Sequence, residues 1–550
     1  TSINWTNGST IRPVPLGSIL DYRNSIYTYQ NLRSQVNLNK SYNQSQISLI
    51  AGVEIGEGIT KGNSFRYYGY NEDNGIAIPV DLVSTYPNYI TGIRTTIPAG
   101  LNIIGLKDRY VSLYANAIYS LDNRYAVSVS ARKDGANLFG TNSNNKWAPL
   151  WSIGASWNID KEVFYRLDWM QNLKLRISYG YQGNVDKEVA SLLTIAFLGN
   201  TSRWNLPYAR IQNPPNTELR WEKVGMVNVG IDFTSKNNRL SGSVEYYRKM
   251  GRDLIGDEIL PPSSGFAAYR GNTANMKGEG FDIVLGSKKS IGNLKWETSL
   301  LISYAKDWVT DYKSTLGSIK SYVEGAFINP IRKRPVTALY SYRWAGLDPS
   351  TGDPLGILNG EVSKDYSTLV NSTNLDDMVY SGPTTPTFFG SLLNAFTWNN
   401  FSCSFLIAYK LGYYFRRSSI NYDNLFSGLD QGNKDYLLRW QKPGDEAHTS
   451  VPSLVYPAIP NRDLFYNRSE VLVEKGDHIR LQDLRVSYFI RKRDFQDIPF
   501  RTLELYIYAS NLGILWRANK KGIDPDYNPG NSYSYTLPGK SVAVGLKLDF

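Results

Sequence analysis

The chain has 550 residues and a mean hydropathy of −0.35, and it carries a formal net charge of +11 at pH 7. It contains no run of about 18 apolar residues, which excludes membrane-spanning helices. Its single cysteine, Cys403, excludes an intramolecular disulfide. We find no basic amphipathic helix and no nucleic-acid motif, so the positive charge does not indicate a nucleic-acid partner.

Apolar residues recur at every second position along much of the chain, which is the period of a β-strand. In 124–132, for example, Tyr125, Val127 and Val129 alternate with small or polar residues. We predict about fifteen such strands, most of them long enough to cross a bilayer at a tilt. They begin near Leu32, Ser45, Arg109, Arg124, Trp147, Leu173, Glu222, Leu240, Gly278, Leu294, Thr387, Phe401, His478, Thr502 and Ser541.

The connections between the predicted strands alternate between short and long. Short connections lie at 41–44, 120–123, 234–239, 287–293 and 398–400, with intermediate ones at 160–172 and 491–501. Long connections are expected at about 58–108, 182–221, 251–277, 312–386, 416–477 and 513–540. Outer-membrane barrels have short periplasmic turns and long outer loops, whereas a soluble sandwich has no reason to separate its loops in this way.

The last ten residues show the same pattern, with apolar side chains at every second position up to the terminal Phe550. Charges such as Lys174, Arg176 and Asp232 share one face of their strands, which suits a water-filled lumen rather than a sandwich core. We therefore predict an all-β fold, a transmembrane antiparallel β-barrel of the bacterial outer membrane, over residues 1–550. Lys and Arg near the rim are expected to contact outer-membrane lipid and lipopolysaccharide, or alternatively to line a pore for anionic solutes.

Fifteen strands is an odd number, whereas single-chain bacterial barrels have even numbers. If Phe550 ends in the periplasm, the strand near Leu32 runs inward from the cell surface, and the residues before it belong to an outer loop. Thr1 begins a polar stretch rather than a secretory signal. We expect the chain to be the C-terminal portion of a larger barrel.

Residue types that carry catalysis or bind metals are sparse. The two histidines, His448 and His478, have no visible partner, and His478 is expected to be a surface residue. Asp348 and Asp353 could ligate calcium, although aspartates beside Pro and Gly more often form turns. We predict no enzyme activity, no catalytic residues, no metal and no cofactor, and we expect Cys403 to be a small apolar filler.

Several stretches then carry a specific resemblance. In order, they are 240–253 (LSGSVEYYRKMGRD), 260–266 (LPPSSGF), 275–281 (NMKGEGF), 344–354 (WAGLDPSTGDP), 439–445 (RWQKPGD), 478–484 (HIRLQDL) and 511–525, which starts with Asn-Leu and ends in GIDP. Together they resemble the SusC-like (RagA/SusC family) TonB-dependent outer-membrane transporters of Bacteroidetes. The resemblance implies a 22-stranded barrel around a plug, of which this chain would supply the last fifteen strands and neither the plug nor the TonB-contacting segment.

The resemblance also implies a function. It implies uptake of oligosaccharides or oligopeptides with a SusD-like lipoprotein as a hinged lid, TonB acting through a segment not present in this chain, and a dimer of transporter–lid pairs. The loops at 312–386 and 416–477 would carry the lid interface and part of the substrate wall, with Tyr342, Arg343 and Trp344 as substrate-facing candidates. The favoured alternative is that Trp344–Pro349 forms a turn that packs against the rim. The alternatives are a passive porin and a structural barrel subunit of a larger outer-membrane complex.

Overall fold

The computed structural model describes residues 4–550 apart from 7–8, 89–91, 138–146, 185, 187–188, 190, 199–207, 217, 267, 314–316, 326–329, 430–432, 493–498 and 528–538. Within these residues, fifteen long strands follow one another, one for each predicted segment. They are β1 (Ser18–Tyr42), β2 (Ser45–Asn71), β3 (Asn102–Leu121), β4 (Tyr125–Ala136), β5 (Trp147–Asn158), β6 (Met170–Asn184), β7 (Glu222–Ser235), β8 (Leu240–Ile259), β9 (Ala268–Ile291), β10 (Leu294–Tyr312), β11 (Phe388–Trp398), β12 (Phe401–Leu411), β13 (His478–Arg491), β14 (Thr502–Arg517) and β15 (Ser541–Asp549).

The long strands fall into two compact bodies. The first comprises residues 1–38, 49–116 and 131–149, and in it β2 is hydrogen-bonded between β1 and β3. The second comprises residues 39–48, 117–130 and 150–550, and in it the strands from β5 to β15 pair antiparallel in chain order. Pairing each strand with its neighbour in sequence satisfies the backbone hydrogen bonds along the sheet.

Shorter elements occupy the connections. The described parts of the connections contain the short helices α1 (Ile319–Glu324), α2 (Tyr366–Asn371), α3 (Tyr422–Phe426) and α4 (Pro460–Asn467). Short strands lie at Asn4–Thr6, Ser9–Ile11, Ile76–Ile78, Thr85–Pro87, Arg94–Thr96, Thr194–Leu198, Tyr208–Asn213, Ala338–Tyr342, Trp344–Leu347, Pro354–Leu358, Glu361–Ser363, Met378–Pro383, Tyr414–Arg416 and Val473–Lys475. Single 3₁₀ turns lie at Ile159–Lys161, Lys236–Asn238, Pro262–Ser264, Leu375–Asp377, Lys434–Leu438, Asp445–Ala447, Glu470–Leu472 and Pro525–Tyr527.

The helices do not provide membrane spans. In the part of the chain that the structure describes, each of them is too short or too polar to pass through a bilayer.

The two faces of the strands differ as the sequence predicts. In β4, Val127 and Val129 are 42% and 48% exposed, while Ala126 and Ser128, which alternate with them, are half-buried. The apolar side chains of the other strands that lie in phase are likewise exposed, including Trp151, Ile153, Ile177, Ile231, Val244, Leu505 and Ile507. A soluble sheet would bury this face, so the exposed apolar side chains are placed to meet lipid.

The opposite face carries charge. The Arg176 guanidinium donates from Nε to Asp232 Oδ2 at 2.7 Å and from Nη2 to Glu245 Oε1 at 2.6 Å. The three residues lie on the adjacent strands β6, β7 and β8, and Gly230 between them leaves room for the guanidinium. An ionic network of this kind needs a hydrated face, which is the prediction for the lumen of a barrel.

The short connections are tight turns rich in asparagine and aspartate. Asn43, Asp122, Asn123, Asn238 and Asn399 all have positive φ, between 49° and 57°. Asn and Asp tolerate this left-handed conformation better than other non-glycine residues, and two-residue hairpins require it. The predicted short connections are therefore explained by local turn chemistry.

Two of the predicted long loops are shorter than expected. Most of 251–277 is strand, because β8 continues to Ile259, where it pairs with Ala268 at the start of β9. Similarly, 58–108 narrows to 72–101 because β2 runs to Asn71 and β3 starts at Asn102. The strands continue past the length that a membrane requires because each still has a neighbour to pair with, and apolar alternation alone does not reveal this.

The alternation of β4 gives a direct test of which face meets lipid. We expect Val127→Arg and Val129→Arg to impair membrane assembly, because a cationic side chain at the bilayer midplane costs about 2–4 kcal/mol on the lipid face of a barrel. The matched control is Ser130→Arg, since the Ser130 hydroxyl lies on the other face, within 2.6 Å of Ser152 Oγ. The readout is the amount of folded protein in the outer membrane; equal assembly of all three variants would contradict the facing assignment.

Candidate functional site

Two of the long connections fold together into one unit, called here the loop module: the described residues of 319–383 and 414–475. Helix α4 contributes Phe465 to its main core, where the ring stacks on Tyr342 and Trp344 at centroid distances of 5.6 and 6.4 Å. The remaining buried members of this core are Ile319, Val323, Tyr340, Leu369, Val370 and Met378. A second core joins Ile420, Tyr422, Val451, Tyr466 and Leu472. Residues far apart in sequence thus share cores, so the two loops form one folded body.

Local sequence signals start the helices of the module. Asp365 caps α2, because its Oδ1 accepts a hydrogen bond from the Thr368 backbone N–H at 3.1 Å. Pro460 opens α4, where its fixed φ suits the first helical turn and its missing N–H costs nothing. Asn421 caps α3 in the same manner as Asp365. The module is therefore an ordered structure rather than a set of irregular loops.

The structure places the three predicted substrate-facing residues largely inside this module. Tyr342 is only 1% exposed, because Phe465 covers its ring and its hydroxyl points at the Val370 carbonyl. Trp344 is half-buried against Phe465 and Tyr466, and its backbone N–H donates to Glu470 Oε1 at 3.0 Å. Tyr342 is therefore a core residue of the module in this structure, and substrate contact by this side chain stays a prediction.

Arg343 remains closer to solvent. Its Nε donates to the Asp376 backbone carbonyl at 2.6 Å. A role for Arg343 and Trp344 in substrate contact stays a prediction.

Asp348 and Asp353 are held by a turn and by cations. Asp348 Oδ1 accepts hydrogen bonds from the Ser350 backbone N–H and hydroxyl, and Asp348 Oδ2 lies 2.7 Å from Lys364 Nζ. Asp353 Oδ1 accepts from Arg462 Nε at 2.9 Å. Lys364 and the Ser350 donors hold the pKa of Asp348 well below its usual range. The turn interpretation therefore accounts for both carboxylates, and no group of three or more metal-ligating side chains occurs among the described residues.

A cavity of about 380 Å³ lies along one side of the loop module. Arginine and tyrosine dominate its polar lining. Its wall includes Glu324, Tyr322, Tyr340, Thr384, Tyr413, Tyr414, Arg416, Arg468 and Pro525. We name it the arginine–tyrosine cavity.

Two buried cations set the electrostatics of this cavity. Arg416 donates to the Val323 carbonyl at 3.3 Å, to the Tyr340 carbonyl and to the Ser341 hydroxyl at 3.0 Å. Burial and the neighbouring Arg468 lower the pKa of Arg416 to about 9. Burial also lowers the pKa of Arg468, although Glu324 partly opposes this. Arg468 also lines the cavity, and its Nε is buried without a hydrogen-bond acceptor among the described residues. The two guanidinium groups give the cavity wall positive charge.

Next to the cavity, a network of charged residues joins the end of β12 and the start of β13 to the connection after β14. His478 is 2% exposed, and its Nε2 lies 3.2 Å from Asp526 Oδ2. Lys410 Nζ donates to Asp526 Oδ1 at 2.7 Å, and Arg480 Nη2 donates to both oxygens of Asp524 at 2.6 and 2.7 Å. The expectation that His478 is a surface residue is wrong, because the connection folds back over it.

Sequence reasoning missed this network although it had noted both halves. His478 and Arg480 belong to the HIRLQDL stretch, and Asp524 and Asp526 belong to or follow the GIDP stretch. The two stretches are separate in sequence, and the contact between His478 and Asp526 joins positions 48 residues apart. The available signal was charge complementarity, because the first stretch carries basic residues and the second carries acidic ones.

Comparisons with known proteins agree with this architecture. The family model for the TonB dependent receptor-like β-barrel matches residues 2–382. The chain is 25% identical to TonB-dependent receptor P39 of Formosa agariphila over 96% of this chain and 53% of that protein. It is 22% identical to TonB-dependent receptor SusC of Bacteroides thetaiotaomicron over 81% of this chain and 44% of that protein. The chain spans about half the length of the curated relatives it matches.

A solved structure shows the same fold. The RagAB peptide importer in its closed-closed state superposes with a TM-score of 0.75 at 20% identity, over 97% of this chain and 57% of the other. The open-open state of the same importer gives a TM-score of 0.73 over 98% of this chain and 57% of the other. At this level of identity the likeness concerns the fold.

The Asp526 network yields a pH prediction. Although burial opposes it, hydrogen bonds from His478 and Lys410 hold the pKa of Asp526 below its usual range. A carboxylate with a lowered folded pKa stabilises the fold above the unfolded value of about 4, and this stabilisation is lost as the pH falls towards the folded pKa. We expect Asp526→Asn to lower backbone hydrogen-exchange protection around 518–527 by about 2 kcal/mol at pH 7.

The difference between Asp526→Asn and the unsubstituted protein should stay constant from pH 7 to pH 5 and shrink below about pH 4. Asp376→Asn, at an exposed position of the loop module, serves as the control and should leave this protection unchanged. A difference that stays constant down to pH 3 would contradict the stabilising role of the Asp526 carboxylate.

Proposed function

The chain belongs to the TonB-dependent receptor family, as part of its outer-membrane β-barrel, and we propose that it serves a nutrient importer for oligosaccharides or oligopeptides. The main support for this proposal is the match to the TonB dependent receptor-like β-barrel family over residues 2–382. The exposed apolar face of the strands and the charged opposite face support it, because an importer needs a lipid-embedded wall around a hydrated path. The matched relatives are named as receptors, and we propose transport without catalysis for this chain.

We further propose that the loop module docks a SusD-like surface lipoprotein acting as a lid. Two observations support this part. The module is a folded body with its own cores, so it can present a fixed surface to a partner. The RagAB peptide importer, solved in closed-closed and open-open states, shares the fold of the chain. Energy coupling through TonB and pairing of two transporter–lid units belong to the same proposal.

The arginine–tyrosine cavity is our proposed part of the substrate wall. Its tyrosine rings offer stacking surfaces for sugars or peptide side chains, and Arg416 and Arg468 give its wall positive charge. Its two cations favour a ligand with a carboxylate, such as a peptide C-terminus or an acidic sugar. The cavity replaces the Tyr342–Trp344 stretch as the best-supported contact region, because its wall is open to a ligand and Tyr342 is not.

We test the proposal with the full-length transporter and two matched sets of short peptides, one with free and one with amidated C-termini. Free-carboxylate peptides should bind more tightly, and Arg468→Ala should weaken their binding by about tenfold, the effect of one hydrogen bond to a charged group. Amidated peptides should be little affected. Cellular uptake of the same peptides should follow the same order.

Two further variants make the result interpretable. Arg343→Ala removes the arginine that the sequence offers as a substrate-facing candidate, and it should leave binding unchanged if the cavity is the contact region. Arg468→Lys keeps the charge and should retain most of the binding, which separates ligand contact from loss of folding. Equal binding of free and amidated peptides by the unsubstituted transporter, with no uptake of either, would contradict the proposal.

A further inference from the structure

The first compact body carries a basic cluster on its apolar, outward face. Lys107 and Arg109 of β3 are exposed in phase with the exposed Val111 and Leu113. Asp108 and Tyr110 between them belong to the other face and are half-buried. The two cations therefore continue the apolar face of the strand towards the end that leads into a long connection.

The neighbouring strands add a third cation and an aromatic ring to the same face. Lys133 Nζ lies 5.3 Å from the centroid of the Trp147 ring, a cation–π contact. The Trp147 ring lies over Gly135, so closely that a Cβ there would come within 3.0 Å of a ring carbon. Gly135 thus makes space for the ring against the sheet.

These residues surround an open groove. The groove has a volume of about 230 Å³ and is lined by Arg109, Tyr110, Val111, Gly135, Ala136, Asn137 and Trp147. Its walls are mainly apolar, with the Arg109 guanidinium at its edge. A ligand in the groove would contact apolar side chains along its walls and the positively charged Arg109 at its edge.

The charges around the groove are unbalanced. Glu57 accepts hydrogen bonds from Arg109 Nε at 2.5 Å and lies 3.2 Å from Lys107 Nζ. One carboxylate therefore faces Lys107 and Arg109, and Lys133 adds a further positive charge. Asp134 points the other way and pairs with Arg132 at 2.7 Å. The outward face thus keeps a net positive charge.

The position of the cluster identifies its ligand class. In this family the strand ends that lead into long loops lie at the outer leaflet, where apolar side chains meet acyl chains and basic side chains reach the headgroups. Trp at this level is typical of the membrane interface. A phosphate above an acyl chain matches both the charge of the cluster and the apolar surface continuing below it.

We propose that Lys107, Arg109, Lys133 and Trp147 form a binding site for the phosphorylated headgroup of lipid A in the outer leaflet. The phosphate pairs with Lys133 and Arg109, and an acyl chain lies along Val111 and Leu113. The site holds a lipid of the bilayer rather than imported cargo, so it does not depend on which nutrient the transporter carries.

The test measures lipid binding to the full-length transporter in mild detergent by native mass spectrometry. The probes are bis-phosphorylated lipid A, the same lipid A after removal of its phosphates, and phosphatidylethanolamine. We expect bis-phosphorylated lipid A to bind at least tenfold more tightly than the other two. Lys133→Gln and Arg109→Gln should each weaken its binding about fivefold, the effect of one cation at an anionic surface.

Two variants separate the site from general charge and from misfolding. Lys161→Gln removes an exposed lysine at the intermediate connection 160–172 and should leave lipid A binding unchanged. Lys133→Arg keeps the charge and should retain binding. Equal binding of phosphorylated and dephosphorylated lipid A would overturn the proposal, and so would equal losses in Lys161→Gln and Lys133→Gln or equally tight binding of phosphatidylethanolamine.

Discussion

Backbone hydrogen bonding in a medium without water is the constraint on which the rest of the structure depends. Each peptide group that enters the bilayer needs a partner within the protein, and antiparallel strands paired in chain order supply one along their full length. Alternation then follows from strand geometry, because successive side chains point to opposite faces. Val127 and Val129 meet lipid on one face of β4, while Ser130 reaches Ser152 on the other.

The two faces of the strands have different chemical properties. The inner face can hold ion pairs such as Arg176 with Asp232 and Glu245, because water solvates what the protein leaves unpaired. On the outer face, the apolar side chains give way to Lys107, Arg109 and Lys133 at the strand ends that lead into long connections. A single periodicity thus provides a hydrated interior, a lipid-facing wall and a charged edge at the membrane surface.

The strand ends also support the loop module. Lys410 lies near the end of β12 and His478 begins β13. Both contact Asp526, and these contacts hold the connection after β14 against the strand ends. Arg416 ties the module together from within by donating to the carbonyls of Val323 and Tyr340. The arginine–tyrosine cavity lies beside both contacts, so its shape depends on the sheet below and on the core of the module.

Sequence reasoning was sufficient for the strands and insufficient for the module. All fifteen segments were predictable, because period-two alternation and Asn-rich turns are local signals. Tyr342 could not be recognised as a core residue, since Phe465, which covers it, lies in the other loop. Similarly, His478 had no visible partner in the sequence, because Asp526 lies 48 residues away in the connection after β14. The extra length of β8 and β9 was missed because pairing outside the membrane does not require apolar alternation.

Purification of the transporter from native outer membranes in mild detergent, with mass spectrometry of every co-purifying chain, tests the central claim most directly. An importer built on this barrel predicts recovery of plug-containing N-terminal sequence together with a SusD-like lipoprotein. It also predicts that the lipoprotein is lost when Phe465→Ala disrupts the loop module while the barrel still assembles. Recovery of the barrel with neither component would contradict the account and leave an open channel or a scaffold.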